Sequence, residues 1–312
     1  MQLLTIGPRG YTVGLAVTNK VFQPLFDRAA QVTDVRITAP SANDSWTFSV
    51  GGKELFRTYV STAGYQNVFG EAKVLGVDNR GWLPYLSDLL GRWITIPVPQ
   101  GQALTIASVG GATANISIEY KEVSPADVQP SQPNHYLGNE SYHPIVQYIN
   151  AAQAAAGSIP MDTQISSPWV PKLLSGDPVP VNWAIDIIDL FSEPVSVNTF
   201  NGAANHVSGT QELQAKYNGQ LMFTRDGTGI PLVAQAAAAG AANSVFLPAL
   251  SRFNSFQLLN YFNSQILDPP ISLHGGDNFE FDVVTSGDFT GGASYAVPMV
   301  VFAAHIVGSV GG

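Results

Sequence analysis

Along most of the chain, apolar and polar residues alternate with a period of two. Val35 and Ile37 flank Arg36, while Trp46, Phe48 and Val50 are separated by Thr47 and Ser49. This is the pattern of a strand with one face buried and the other in water. Strands of this kind are predicted at Leu3 to Ile6, Tyr11 to Val17, Val32 to Thr38, Trp46 to Val50 and Glu54 to Val60, separated by Gly-Pro, Pro-Ser and Gly-Gly turns. Further strands are predicted at Val195 to Phe200, Glu212 to Tyr217, Gln220 to Thr224 and Ser255 to Phe262. Many short strands punctuated by turn residues predict an all-β protein built of sandwiches. Short helices are expected at Phe22 to Ala30 and Trp82 to Leu90, and an Ala-rich helical insertion at Pro231 to Ala242. Trp183 to Phe191 reads equally as an apolar strand or a short helix.

One pattern occurs twice. At an offset of 175 residues, Ile96 matches Ile271, Val98 matches Leu273, Gly101 matches Gly276, Leu104 matches Phe279 and Ile106 matches Phe281, without a gap. Each copy reads as a short strand, a glycine turn, an alternating strand, another Gly-rich turn and a final apolar strand, which predicts the closing hairpin of a sandwich present twice. The copies lie in Ile94 to Tyr120 and Pro269 to Ile306, so two domains are expected, at residues 1–122 and 181–312.

Between them, residues 123–180 hold nine of the chain's 21 prolines. This stretch also carries Pro144, Ile145, Tyr148, Ile149 and Ala152 at helical spacing before Gly157. It is read as an ordered crossover with a helix from Pro144 to Ala156, strapped down by that helix, Trp169 and Leu173-Leu174.

Composition sharpens the picture. Hydrophobic residues make up 45% of the chain but charged residues only 12%, against roughly 25% charged in an average soluble domain. A monomer of this mass would expose about 12,500 Å², so much of its surface is expected to be covered, most simply by copies of itself. Candidate contact residues are Pro144, Ile145, Tyr148, Ile149, Trp169, Pro231 and Leu232, with the two termini. The net charge of -9 argues against direct nucleic-acid binding, which needs clustered Lys and Arg. The chain has no cysteine, so disulfides and thiol chemistry are absent. Met1 to Tyr11 shows no basic flank followed by an apolar core, and no run approaches the ~20 apolar residues of a membrane span. Synthesis without export is therefore expected.

Reaction chemistry is hard to find. The five histidines form no i, i+4 pair, which removes the common zinc spacing. Asp277, Glu280 and Asp282 could supply oxygens to a calcium ion. Alternation with Phe279, Phe281 and Val283 makes them the ordinary solvent face of a strand, and that plainer reading is preferred. Asp186 and Asp189 could act as a carboxylate pair on a glycan, but they are equally ordinary surface acids. No Gly-x-Ser-x-Gly elbow or phosphate loop is present. No cofactor is expected, and the five tryptophans are read as core or interface residues.

Tandem sandwiches with matching ends, a strapped Pro-rich crossover, a helical insertion, no cysteine and few charges together resemble the double jelly-roll major capsid proteins of tailless icosahedral viruses, the lineage that includes adenovirus hexon. The resemblance spans nearly the whole chain and rests on architecture. It implies two eight-stranded jelly rolls and homotrimers of pseudo-hexagonal outline. Neighbouring capsomers and minor capsid or spike proteins would be partners, and the shell would often enclose a membrane. It also implies a place in the virion after synthesis and assembly in the host cytoplasm. The chain lacks an evident N-terminal helix for membrane contact. The rival expectations are a phage spike, decoration or receptor-binding protein, and a carbohydrate-active enzyme built on sandwiches.

Overall fold

The structure is a computed structural model that describes residues 9–60, 83–84, 87, 93–128, 140–148, 157–168, 170–194, 211–222, 230–233, 270–285 and 298–308. The chain divides into two compact units, Met1–Tyr142 and His143–Gly312.

The first unit contains β1 (Arg9–Val17), β2 (Asn19–Phe22), β3 (Ala29–Thr38), β4 (Asp44–Val50), β5 (Lys53–Val60), β6 (Ile96–Val98), β7 (Leu104–Ser108) and β8 (Ala114–Val123), followed by a 3₁₀ turn at Pro125–Asp127. They form two four-stranded sheets, ordered β1-β8-β3-β6 and β2-β7-β4-β5. The antiparallel pairs β1·β8, β2·β7, β3·β6 and β4·β5 are those of one long two-stranded ribbon folded at its middle. Successive segments of that ribbon fall in alternate sheets, which is the winding of a jelly roll.

The alternation read from the sequence decides what fills this roll. Trp46, Phe48 and Val50 of β4 are buried, and Phe48 and Val50 stand in register with Ile106 and Leu104 of β7. The rings of Phe48 and Phe56 stack with centroids 4.5 Å apart. From the other sheet come Val35 and Ile37, in register with Ile118 and Ile116. A bulge between Val32 and Asp34 leaves Thr33 as the extra residue, so Val32 and Val35 both face the core although three positions apart.

The second unit contains β9 (Glu140–Tyr148), β10 (Gly157–Pro160), β11 (Thr163–Ile165), β12 (Trp183–Pro194), β13 (Gln211–Tyr217), β14 (Gln220–Met222), β15 (Ile230–Val233), β16 (Ile271–His274), β17 (Phe279–Thr285) and β18 (Pro298–Gly308). One sheet has the order β11-β9-β18-β12-β16, the other β10-β17-β13-β14 with β15 also paired to β13. Without the edge strands β11 and β15, the neighbours are β9·β18, β10·β17, β12·β16 and β13·β14, so the same rolled ribbon occurs again. The described residues thus form an all-β protein with two jelly rolls in tandem. Ile185, Ile187, Ala215, Leu273, Phe279 and Phe281 are buried in the second core.

The repeat at an offset of 175 residues is β6–β7 against β16–β17, and both turn glycines have positive φ, 77° at Gly101 and 97° at Gly276. The expected hairpin is not one. The strands on either side of each glycine lie in opposite sheets, so the turn carries the chain across the sandwich. The true hairpins are β4–β5 and β13–β14, closed by Gly51-Gly52 and Asn218-Gly219, all at positive φ, as a two-residue turn with the twist of a strand pair requires.

Successive antiparallel strands place their connections at alternate ends of each roll. One end has tight turns. Gly51 N–H donates to Ala103 O (3.1 Å), and the Gln100 side-chain amide donates to Phe26 O (3.0 Å). At the other end β5, β12, β14 and β17 finish, and β6, β13, β16 and β18 begin.

Several local expectations differ from what is observed. Phe22 ends β2 and Ala29 begins β3, with an irregular connection instead of a helix. Leu83, Pro84 and Ser87 are helical, while the rest of Trp82 to Leu90 lies outside the described residues. Trp183 to Phe191 is strand. Pro144, Ile145 and Tyr148, expected on a crossover helix, lie in strand β9. His143 through Gln147 are all buried, and a run of apolar residues covered on both faces cannot be told from a helix by periodicity alone. The stretch 123–180 therefore carries β9, β10 and β11. Part of its Pro-rich remainder is tied down by amides: Gln147 Nε2 donates to Leu173 O (2.6 Å), Gln164 Nε2 to Pro171 O (2.9 Å), and Leu173 N to Gln164 Oε1 (2.8 Å). Pro231 and Leu232 lie in strand β15, where a helix was expected.

A Cβ at Gly101 or Gly276 would meet nothing within 4 Å, so alanine there is penalised through the backbone alone. Gly101→Ala and Gly276→Ala should each destabilise by about 1–2 kcal/mol, with Asn tolerated better than Ala. Denaturant unfolding of the four variants tests this.

Candidate functional site

Acidic side chains are the first place to look for chemistry, and the structure separates them. Asp277 sits in the turn between β16 and β17, where its carboxylate accepts from Tyr217 Oη (3.0 Å), Asn218 Nδ2 (2.9 Å) and the His274 backbone N–H (2.8 Å). The Asn218 bond and the His274 N–H bond hold its pKa below the usual carboxylate range, and the same carboxylate raises the Tyr217 phenol. Asp282, read from the sequence as solvent-facing, is buried. It is paired with the Lys216 ammonium and accepts from Ser158 Oγ (2.8 Å). Glu280 is in register with Lys216. The three calcium candidates are thus not gathered, and an ammonium stands among them where a divalent cation would be repelled. Among the described residues, no group of three or more His, Asp or Glu side chains is arranged to hold a metal ion.

Asp186 lies on β12 between the buried Ile185 and Ile187, and accepts from Ser272 Oγ of β16 (2.6 Å). Asp189 follows a bulge, in register with Ala303, while Asp186 is in register with His305. What the structure shows around Asp186 is a cross-strand polar pair of the sort that stabilises sheets.

His143, which was not singled out from the sequence, is fully buried in β9. Burial pushes its imidazole from 6.5 down to about 3. Between those values the unfolded chain binds a proton that the folded chain refuses, so this contribution to stability is complete above pH 6.5 and is lost as pH falls below it. The slope approaches ~1.4 kcal/mol per pH unit.

A different kind of site is formed by exposed apolar side chains. Leu25 and Phe26 protrude from the β2–β3 connection at the tight-turn end of the first roll. Val181 protrudes from the matching end of the second, beside Gly275, and the Val179 N–H there bonds to Asp277 O (2.8 Å). Tyr11, Val13, Leu15, Val21 and Trp93 are exposed elsewhere on the first unit, whereas Trp46 is in its core. The 14 basic and 23 acidic residues are spread over 14,614 Å², about one per 400 Å², roughly half the density that an average composition would give. Of the contact residues expected from sequence, Pro144 and Ile145 are buried in the second unit and unavailable to a partner. Ile149 and Trp169 lie outside the described residues.

No protein-family model matches the chain, and no curated protein sequence does. Among solved structures it is similar to the major capsid protein P2 of bacteriophage PM2, with 11% identity, a TM-score of 0.37 and coverage of 98% of this chain and 100% of that one. The STIV major capsid protein gives 11% identity, a TM-score of 0.30 and coverage of 96% and 97%. A peptide-N(4)-(N-acetyl-β-D-glucosaminyl) asparagine amidase gives 9%, 0.28 and 96% of each chain. Scores this low carry no weight for the fold, which the two strand orders define by themselves.

Two measurements follow. Millimolar calcium should leave the melting temperature unchanged, because the carboxylates of Asp277 and Asp282 are already engaged by separate protein donors. Acid titration of stability should show a decline beginning near pH 6.5, and His143→Gln should flatten it; an unchanged slope in that variant would assign the decline elsewhere.

Proposed function

We propose that the chain is a structural virion protein without enzymatic activity, a major capsid protein that assembles as trimers into an icosahedral shell. The observation that carries this reading is the same eight-strand winding twice in one chain, with the same glycine crossing at the same place. Three copies of a chain with two similar rolls bring six similar bodies around one axis, so a three-fold oligomer can take a nearly hexagonal outline and tile a surface. The thin spread of charge and the exposed apolar side chains support extensive coverage by neighbouring copies.

On this reading the functional surface is an interface, with neighbouring capsomers as the principal partners and minor capsid or spike proteins as further ones. Synthesis in the host cytoplasm precedes incorporation into the virion. The polar pair of Asp186 with Ser272 has a sufficient role in holding β12 to β16.

Light scattering of the purified protein, followed by negative-stain imaging at rising concentration, tests the proposal. The expected result is a mass of three chains and, above it, hexagonal patches or shells. Closed trimers that never associate laterally would favour a spike or decoration protein. A monodisperse monomer at high concentration would overturn the shell reading.

A further inference from the structure

Strand β1 wears its hydrophobic alternation on the wrong side. In register with β8, its core-facing positions are Gly10, Thr12 and Gly14, opposite Tyr120, Ile118 and Ile116. Its apolar side chains Tyr11, Val13 and Leu15 are on the solvent side, 62%, 40% and 71% exposed. A strand that is only half buried normally does the reverse. Glycine on the inner side is not a packing failure, because a Cβ at Gly10 would run into the ring of Tyr120, itself packed on Phe22 with centroids 4.3 Å apart. The inner face is thus complete without β1 side chains, and the apolar outer row serves nothing within the unit.

The row lies at a border of the sandwich. β1 ends the order of one sheet and β2 ends that of the other, and the Lys20 ammonium of β2 donates to Val13 O of β1 (3.3 Å). Val21, on the outer side of β2, is 53% exposed. The border is therefore apolar on both flanks, and its nearest ammonium is turned back onto the backbone. β1 is roughly 30 Å long, and two sheets about 10 Å apart with a side chain on each outer face span about 20 Å, giving ~600 Å² before the flanking connections are counted. That is most of the ~800 Å² per partner of a specific protein interface.

The chain also carries a complement to this border. At the opposite side of the same sheet, just before the terminal strand β6, Trp93 is 69% exposed, and an exposed tryptophan is the residue type most enriched among dominant interface contacts. An apolar row on one border and an exposed tryptophan toward the other form a heterologous pair, which repeats from copy to copy and closes into a ring only if its rotation allows. We infer that the β1–β2 border of one copy packs against the Trp93 side of a second copy. This contact specifies where one copy meets the next in the proposed shell, and it rests on the shell reading.

The test uses substitutions that do not enter the core. Leu15→Asp and Tyr11→Asp should each keep a melting temperature within a few degrees of the parent and weaken self-association at least tenfold by light scattering. Because the chain has no cysteine, Leu15→Cys and Trp93→Cys each introduce a sole thiol. Under mild oxidation, a mixture of the two variants should give a covalent dimer that neither gives alone. A Leu15→Cys dimer formed alone, or an oligomer unaffected by Leu15→Asp, overturns the contact and leaves the shell reading standing. A parent protein that is monomeric throughout overturns both.

Discussion

Each roll depends on crossing from one sheet to the other without leaving backbone groups unpaired. Within a ladder an N–H finds its partner on the adjoining strand, but a turn that spans the sandwich leaves the ladder and must find partners elsewhere. The two units meet this with carboxylates. In the second, Asp277 takes the His274 N–H at the tight-turn end. In the first, at the opposite end, Asp44 accepts from the Gly110 and Ala112 N–H groups (2.8 and 3.2 Å) and from the Ser108 hydroxyl, fixing the β7–β8 crossing to the start of β4. At the β6–β7 crossing a backbone carbonyl serves instead, with the Gln102 N–H donating to Pro99 O (3.0 Å).

That requirement explains which features could be read from the sequence. Gly101 and Gly276, with apolar alternation on either side, form a local pattern, and local patterns survive into the structure. Sheet partners are not local: alternation says that a strand has a buried face and nothing about which strand it meets, so a crossing turn was read as a hairpin. Phe22 to Ala30 and Pro144 to Ala156 fail for a related reason. Their apolar spacing fits a helix, but Phe22 and Ala29 belong to two different strands, and His143 to Gln147 are covered on both faces. Asp277, Glu280 and Asp282 are near in sequence, but the strand and its turn distribute them among separate partners, and the alternation that marks Asp282 as solvent-facing does not show its burial beside Lys216.

The inverted strand β1 was legible in principle. Gly10, Thr12 and Gly14 alternate with Tyr11, Val13 and Leu15, and a strand whose second face holds only glycine and threonine has little to bury there. What the sequence lacked was the identity of the inner face, which follows from the register with Ile116 and Ile118.

The contrast between the two ends of each roll bears on how such a chain can change over time. At one end, turns of a few residues are bonded to one another, and a single inserted residue would disturb several of them at once. At the other, the β7–β8 turn is likewise tied down by Asp44, but the sequence intervals from β5 to β6, β12 to β13, β14 to β16 and β17 to β18 are longer, and the strand order does not dictate their length. Added length in those intervals leaves the ladder pairings of both rolls untouched, so the architecture tolerates a change of size there. A laboratory wishing to display a foreign peptide would graft it into one of those intervals.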